Sequence, residues 1–351
     1  MRDLISIVVP CYNEEESLPL FMKAIRPVRA ALSGEAGSLQ AVLTDGQDAE
    51  GSASLPVCDT ELIFIDDGST DSTLKLIKSY NALDPGVRYI SFSRNFGKEA
   101  GIYAGLKAAK GDYCVLLDAD LQHPVEYICE MYKILAGAAS SGTINDPKHD
   151  TPIRYDSVAM CRQSRTGHER IRSFFSKSFF RTMNRLSKIN LVDGATDYRM
   201  MTRQMVDAVL SMREYNRFTK GIFNWVGFNT LWLPYTDVPR KAGHSKWSFG
   251  SLLRYSLEGM FAFSTTPLTV SFWLGLLFCL VALLFAVYVV IKTMIWGDPV
   301  AGFPTLFCVI LFFGGIQLFF LGIIGQYLSK MYLEVKHRPL YIIKEESGDE
   351  G

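Results

Sequence analysis

Two carboxylates spaced two residues apart, Asp118 and Asp120, follow a short apolar run at 113–117. A turn at a strand end can aim both at one hard cation. Mg2+ or Mn2+ suits carboxylate oxygens completed by those of a diphosphate. The triplet alone is a weak signal, since such spacings arise by chance. A second acidic pair, Asp66 and Asp67, closes another apolar run at 61–65 and precedes Gly68-Ser69-Thr70-Asp71-Ser72. Gly68 permits a tight turn, and Ser69 or Thr70 can cap the helix that follows. Capping explains the hydroxyls but not two adjacent carboxylates, one of which could accept hydrogen bonds from a base or a ribose. The chemistry these residues offer is the binding of a metal ion and a phosphorylated molecule.

Such residues need elements to hold them. Apolar runs at 5–9, 62–65, 87–92 and 113–117 read as buried strands, and helical spacing covers 14–31, 71–80, 98–109 and 125–136. Strands alternating with helices give an α/β layer around a largely parallel sheet, and ligands sit beyond the carboxyl ends of such strands. Those ends carry Pro10-Cys11-Tyr12-Asn13-Glu14, Asp66-Asp67-Gly68-Ser69, Ser93-Arg94-Asn95 and Asp118-Ala119-Asp120. Four polar clusters at four strand ends make one site. The stretches 33–60 and 145–155 read as surface loops. Between about 167 and 188, Phe174, Phe175, Phe179 and Phe180 alternate with Arg170, Arg172, Lys177, Arg181 and Arg185. That pattern is a basic amphipathic helix suited to an anionic membrane surface; an ordinary helix with a solvated basic face is the plainer alternative.

Composition narrows the class. The chain has 351 residues, enough for two structural parts, with 36 basic and 36 acidic side chains. No global basic field argues for nucleic acid. Seven scattered cysteines without a CxxC pair argue for reduced thiols, with no zinc site and no disulfide framework. Neither a GxGxxG string nor a P-loop is present, so hydride transfer and P-loop chemistry have no support. Two long apolar runs, about 268–291 and 303–328, fill the last quarter. Each is long enough to cross ~30 Å of hydrocarbon. Lys246 and Arg254 precede the first run, Lys330, Lys336 and Arg338 follow the second, and the connection holds only Lys292 and Asp298. The positive-inside rule then places the large N-terminal domain and the C-terminal tail both in the cytoplasm.

The segments ISIVVPCYNEEESL, IFIDDGSTDST, FSRNFGKEAGIYAGLKAAKGDYCVLLDADLQHP, VDGATDYRMM, NRFTKGIFNWVGF and RKAGHSKW, followed by two spans, resemble the family-2 glycosyltransferases. Within them they resemble the polyprenyl-phosphate group, which includes bactoprenol glucosyltransferases and dolichol-phosphate mannose synthase. The resemblance covers roughly 4–340 and departs in the long loop at 33–60 and the segment at 138–156. It implies a GT-A domain over 1–240, an acceptor loop and juxtamembrane helix over 241–266, two transmembrane helices over 267–330 and a cytoplasmic tail over 331–351. It also implies a nucleotide-sugar donor, Mg2+ or Mn2+, inversion at the anomeric carbon, a polyprenyl-phosphate acceptor and, by analogy, a homo-tetramer.

Carried over by motif, Pro10, Tyr12, Glu14 and Asp66, with Asp67 beside it, would serve the nucleotide. Asp118, Asp120 and Gln122 would serve the metal and diphosphate. Asp197 stands where related transferases keep a catalytic carboxylate, as a base or as the residue that orients the acceptor. Arg162, after a strand at 158–160, would lie near the diphosphate. Ser245 and Lys246 belong to a mobile acceptor loop, and Arg172 and Lys177 would receive the lipid phosphate. Lys98 reads equally well as a diphosphate contact or a solvated helix start, and His123 as support for the metal turn. Glucose on undecaprenyl phosphate is the leading product, with mannose, N-acetylhexosamine and aminoarabinose-type donors left open. A polymer synthase has no support, because no QxxRW string is present.

Overall fold

In the computed structural model the described residues are 2–35, 55–137, 154–162, 192, 194–235, 266–296 and 302–348. The amphipathic segment with Arg172 and Lys177, and the loop with Ser245 and Lys246, lie outside them.

The strands are β1 (Leu4–Cys11), β2 (Asp59–Asp66), β3 (Val87–Phe92), β4 (Tyr113–Leu116), β5 (Ser157–Arg162), β6 (Ala195–Thr202), β7 (Thr230–Tyr235) and β8 (Ile343–Glu346). They form one sheet in the order β7-β5-β6-β4-β1-β2-β3-β8. The four strands read from the sequence make the parallel block β3-β2-β1-β4. Helices α1 (Ser17–Leu32), α2 (Thr73–Leu83) and α4 (Tyr127–Leu135) place buried residues in one core layer, with Ile5, Ile7, Val9, Leu62 and Phe64. Helices α3 (Lys98–Ala108), α5 (Arg203–Ser211) and α6 (Thr219–Trp225) supply the other, against Val8, Ile63, Ile65 and Leu116. Both faces of the central strands are therefore covered, which is why they read as unbroken apolar runs rather than alternating ones. Packing of α3 on β1 is close: a Cβ at Gly105 would meet Val8 Cγ1 at 2.1 Å.

Beyond this block the sheet is mixed. β6 runs antiparallel to both β4 and β5, and β8 runs antiparallel to β3. The reversal of β6 matters for the site. Its pairing with β4 matches Leu116 to Arg199, so the same register continued two residues sets Asp118 opposite Asp197. A strand running the other way delivers its beginning to the place where its neighbours deliver their ends.

Two helices complete the chain, α7 (Thr266–Trp296) and α8 (Phe303–Val335). Both are long and apolar enough to cross a membrane, and their apolar windows bury nothing within the protein. Past α8 the chain turns through His337, at φ 47°, and the tail segment supplies β8 to the free edge of β3.

Candidate active site

Lys98 is the first residue of α3. Its Nζ lies 2.8 Å from Asp118 Oδ1, 2.9 Å from Asp118 Oδ2 and 2.8 Å from Asp197 Oδ2. Lys220, near the start of α6, stands 4.0 Å from Asp197 Oδ1. Burial acts to raise the Asp197 carboxyl, but Lys220 and Lys98 outweigh it and hold Asp197 well below the usual carboxylate range. Burial likewise opposes the charge on Lys98, and Asp118 and Asp197 together overcome it and raise the ammonium above its ordinary value.

Behind Asp197, on the same face of β6, sits Arg199, 1% exposed. Its guanidinium lies 3.9 Å over the Phe223 ring and 5.7 Å from that of Trp232. Burial lowers its pKa to about 10, with Asp197 pulling the other way. Lys98, Lys220 and Arg199 thus surround one carboxylate with three cations. From the sequence Lys98 reads equally well as a diphosphate contact or a solvated helix start, and no local pattern marks Lys220 or Arg199. One signal was available for Lys98, because the first turn of a helix disfavours positive charge and a lysine there needs an anion.

The turn after β4 is unusual in its backbone. Leu121 adopts φ 54°, a left-handed conformation uncommon for a residue with a branched side chain. It lets Asp120 Oδ1 accept the backbone N–H of Gln122 at 3.1 Å. The ring of His123 lies 5.5 Å from that of Tyr198 and 5.2 Å from that of Tyr235, and Tyr198 donates its hydroxyl to the Pro124 carbonyl at 3.1 Å. His123 is buried against these two rings beside the turn.

Asp66 and Asp67 are placed differently from an open nucleotide contact. Asp66, 1% exposed, accepts the Ser69 N–H and the Ser91 hydroxyl. Asp67, 5% exposed, accepts the N–H groups of Phe96 and Gly97 at 2.6 and 2.9 Å, which fixes the approach to Lys98. All four oxygens are engaged within the chain in this conformation. Between the two loops Gly68, at φ 67°, packs so closely that a Cβ would meet the Arg94 carbonyl carbon at 2.5 Å.

After β1, Asn13 takes φ 54°, and its Oδ1 accepts the Thr70 N–H at 2.9 Å. Pro10 pairs with Ile65 in the sheet. Glu14 accepts the Ser17 hydroxyl at 2.7 Å, while Tyr12 is exposed at the rim. The acidic field they share is felt at Cys11, whose thiol is raised by burial and then by Glu14, Asp66 and Asp118. Arg162 ends β5, with its N–H donated to the Gly194 carbonyl at 3.0 Å.

Among the described residues no three His, Cys, Asp or Glu side chains gather around a point. A divalent ion fits nonetheless. Mg2+ and Mn2+ commonly use one or two carboxylates and take the rest of their oxygens from substrate phosphates and water. Asp118 already grips a cation, the Lys98 ammonium, with both oxygens, and Asp120 and Gln122 stand in the same strained turn. The residues that would hold the metal are Asp118, Asp120 and Gln122.

A family model described as glycosyl transferase family 2 matches residues 6–210. The chain is 37% identical over 344 residues to CsbB of Bacillus subtilis (strain 168), covering 98% of this chain and 92% of that protein. It is 36% identical over 343 residues to the bactoprenol glucosyl transferase of Shigella phage SfV, covering 97% of this chain and 98% of that one. The prophage bactoprenol glucosyl transferase homolog of Escherichia coli (strain K12) is 35% identical, covering 97% and 98%. With the family model matched over more than half its length and such relatives aligned almost end to end, the chain belongs to glycosyl transferase family 2 and is a glycosyltransferase.

Proposed function

We propose that this GT-A glycosyltransferase moves one hexose, glucose first among the candidates, from a nucleotide sugar to undecaprenyl or a similar polyprenyl phosphate at the cytoplasmic face of a membrane. The observation that carries the reading is the Asp118–Lys98–Asp197 bridge at the strand ends, in a chain similar from end to end to bactoprenol glucosyl transferases. The reaction forms a bond from the anomeric carbon to an acceptor phosphate oxygen, breaks the bond from that carbon to the donor diphosphate, and inverts the carbon. The nucleoside diphosphate leaves.

Mg2+ or Mn2+ held by Asp118, Asp120 and Gln122 would offset the charge of the departing diphosphate. The chain's own residues do the rest. Asp66 and Asp67 hold the loops against which Pro10, Tyr12 and Glu14 present the nucleotide. Two anionic reactants meet, so cations must gather them: Lys98 and Lys220 beside Asp197, Arg162 at the end of β5, and, by the motifs they share with the family, Lys246 with its neighbour Ser245, and Arg172 and Lys177, for the lipid phosphate. Asp197 orients the acceptor rather than deprotonating it. A carboxylate held so low by Lys98 and Lys220 is a poor base, and a phosphomonoester with a second pKa near ~6 needs none at neutral pH.

The reading is tested with purified protein, undecaprenyl phosphate and Mg2+ or Mn2+, offering UDP-glucose, UDP-N-acetylglucosamine and GDP-mannose separately, with mass spectrometry of the lipid. Hexosyl-phosphoryl-undecaprenol from UDP-glucose is the expected product. Donor binding by calorimetry without any lipid-linked sugar would overturn the proposed acceptor.

A further inference from the structure

The end of α8 and the tail beyond it are fastened to the catalytic domain at two places, Glu334 and the β8 segment. Glu334, the penultimate residue of the helix, accepts the backbone N–H groups of Tyr215 and Asn216 on Oε1, at 2.8 and 3.2 Å. Two successive N–H groups converging on one carboxylate oxygen make a small anion nest. Ten residues on, β8 pairs with β3. Its flanks are tied as well: Ser93 donates to the Ile342 carbonyl at 3.0 Å, and Ser347 to the Tyr89 carbonyl at 2.9 Å. Between them Tyr341 stacks on Phe92, with ring centroids 4.9 Å apart, and Lys78 pairs with Glu345 at 2.7 Å.

The loop that Glu334 grips leads to the active site in a few steps. Arg217 lies 4.6 Å over the ring of Tyr103 in α3. Thr219 donates both its N–H and its hydroxyl to Glu99, next to Lys98, and Lys220 follows toward Asp197. The helix end therefore holds the loop that leads into α6, where Lys220 stands 4.0 Å from Asp197. A helix of 33 residues is about 50 Å long, longer than the ~30 Å hydrocarbon core; on the membrane reading one end extends past the lipid, and the charges of Lys330 and Glu334 mark the last turns as that end.

We propose that Glu334 and the tail strand form a clamp that fixes the height and tilt of the active site over the bilayer, and that Glu334 is a positioning residue for the lipid acceptor. This rests on the membrane and lipid-acceptor reading above. A single flexible tether would let the domain wander, diluting the site relative to a phosphate confined to the membrane plane. Two fastenings within ten residues hold the effective concentration high.

The test uses full-length protein in lipid nanodiscs, with Glu334→Ala, Glu334→Gln and Ile343→Pro. Transfer is measured to undecaprenyl phosphate in the bilayer and to a short, water-soluble prenyl phosphate. Glu334→Ala should raise KM for the bilayer acceptor about tenfold, leaving the soluble acceptor and donor binding within about twofold of the parent protein. Glu334→Gln keeps an acceptor oxygen and should restore most of the loss. Equal losses on both acceptors, or none on either, would overturn the clamp. Hydrogen exchange judges it without turnover. Ile343→Pro should speed exchange at 213–218 as well as at 89–93, and exchange confined to the tail and β3 would also overturn it. If no lipid accepts sugar yet exchange spreads as described, the proposed acceptor fails and the clamp stands.

Discussion

Lys98 Nζ stands 2.8 Å from Asp197 Oδ2, although the two residues are 99 positions apart and belong to elements packed from different directions. α3 presents the lysine at its first turn, and β6 presents the carboxylate at its start. Asp118 completes the bridge. The ammonium is the charge that lets two carboxylates share one small volume. At a separation of ~4 Å, like charges at an effective dielectric of 20 cost about 4 kcal/mol.

Lys98→Met keeps the length of the side chain and removes its charge. Asp118 and Asp197 then face each other without compensation, and an anionic transition state loses a cation. The turnover rate should fall by about 10², with donor affinity changed less, in steady-state kinetics paired with calorimetry. Lys98→Arg should not restore full activity, because a planar fork cannot sit as a point charge between two carboxylates. Parent-like turnover in Lys98→Met would remove the lysine from the mechanism.

Asp120→Asn leaves the turn's hydrogen bond to Gln122 available through the amide oxygen but withdraws a charge from the metal site. Metal-dependent transfer should be abolished while circular dichroism and melting temperature stay close to those of the parent. Full activity in this variant would show that the ion sits elsewhere.

Asp67 separates two roles cleanly. If it holds the approach to α3, as its bonds to Phe96 and Gly97 indicate, Asp67→Ala should destabilise the fold by about 1–3 kcal/mol for each N–H left buried without an acceptor. Asp67→Asn should lose less. A direct contact with the donor predicts the reverse pattern: weaker donor binding with an unchanged melting temperature.

The pH profile tests what Asp197 does. Its folded pKa is lowered by Lys220 and Lys98 against the effect of burial. Its contribution to stability is therefore fully present above the unfolded carboxylate value of ~3.9 and is lost as pH falls through the lower folded value. It should leave no mark on activity near neutrality. The acid limb of kcat/KM should instead sit near ~6, where the acceptor phosphate takes up a proton. A limb near ~4 that vanishes in Asp197→Asn would make Asp197 the base.

The sequence exposed the central strands because burial on both faces writes them as unbroken apolar runs, as in 62–65. It marked the DAD turn because two carboxylates at the end of an apolar run are the residue type and spacing that a hard cation would need. It did not expose β8: Ile343-Lys344-Glu345-Glu346 is a charged edge strand whose partner lies some 250 residues away, and no local pattern marks it. The buried state of Asp66 and Asp67 was equally hidden. An acidic pair at a strand end looks the same whether it faces a ligand or ties down a loop. Asp197 was found by motif, but its place opposite Asp118 follows from an antiparallel register that local periodicity cannot reveal.

The tail strand changes what a truncation should do. A chain ending at residue 265 loses both apolar helices and also β8. Tyr89 N–H and Ser93 N–H then lose the Ser347 hydroxyl and the Ile342 carbonyl, Phe92 loses the ring of Tyr341, and the edge of β3 lies open to pairing with another copy. A second chain, with 266–335 replaced by a flexible Gly/Ser linker and 336–351 retained, keeps all of these. The first should melt at a lower temperature and self-associate in light scattering. The second should melt close to the first chain's value plus what the edge strand adds, and stay monomeric. Both should bind donor, since the strand-end loops are intact. Identical melting of the two would mean that the tail adds nothing to the domain it touches, and the pairing seen at β3 would then serve only to hold α8 in place.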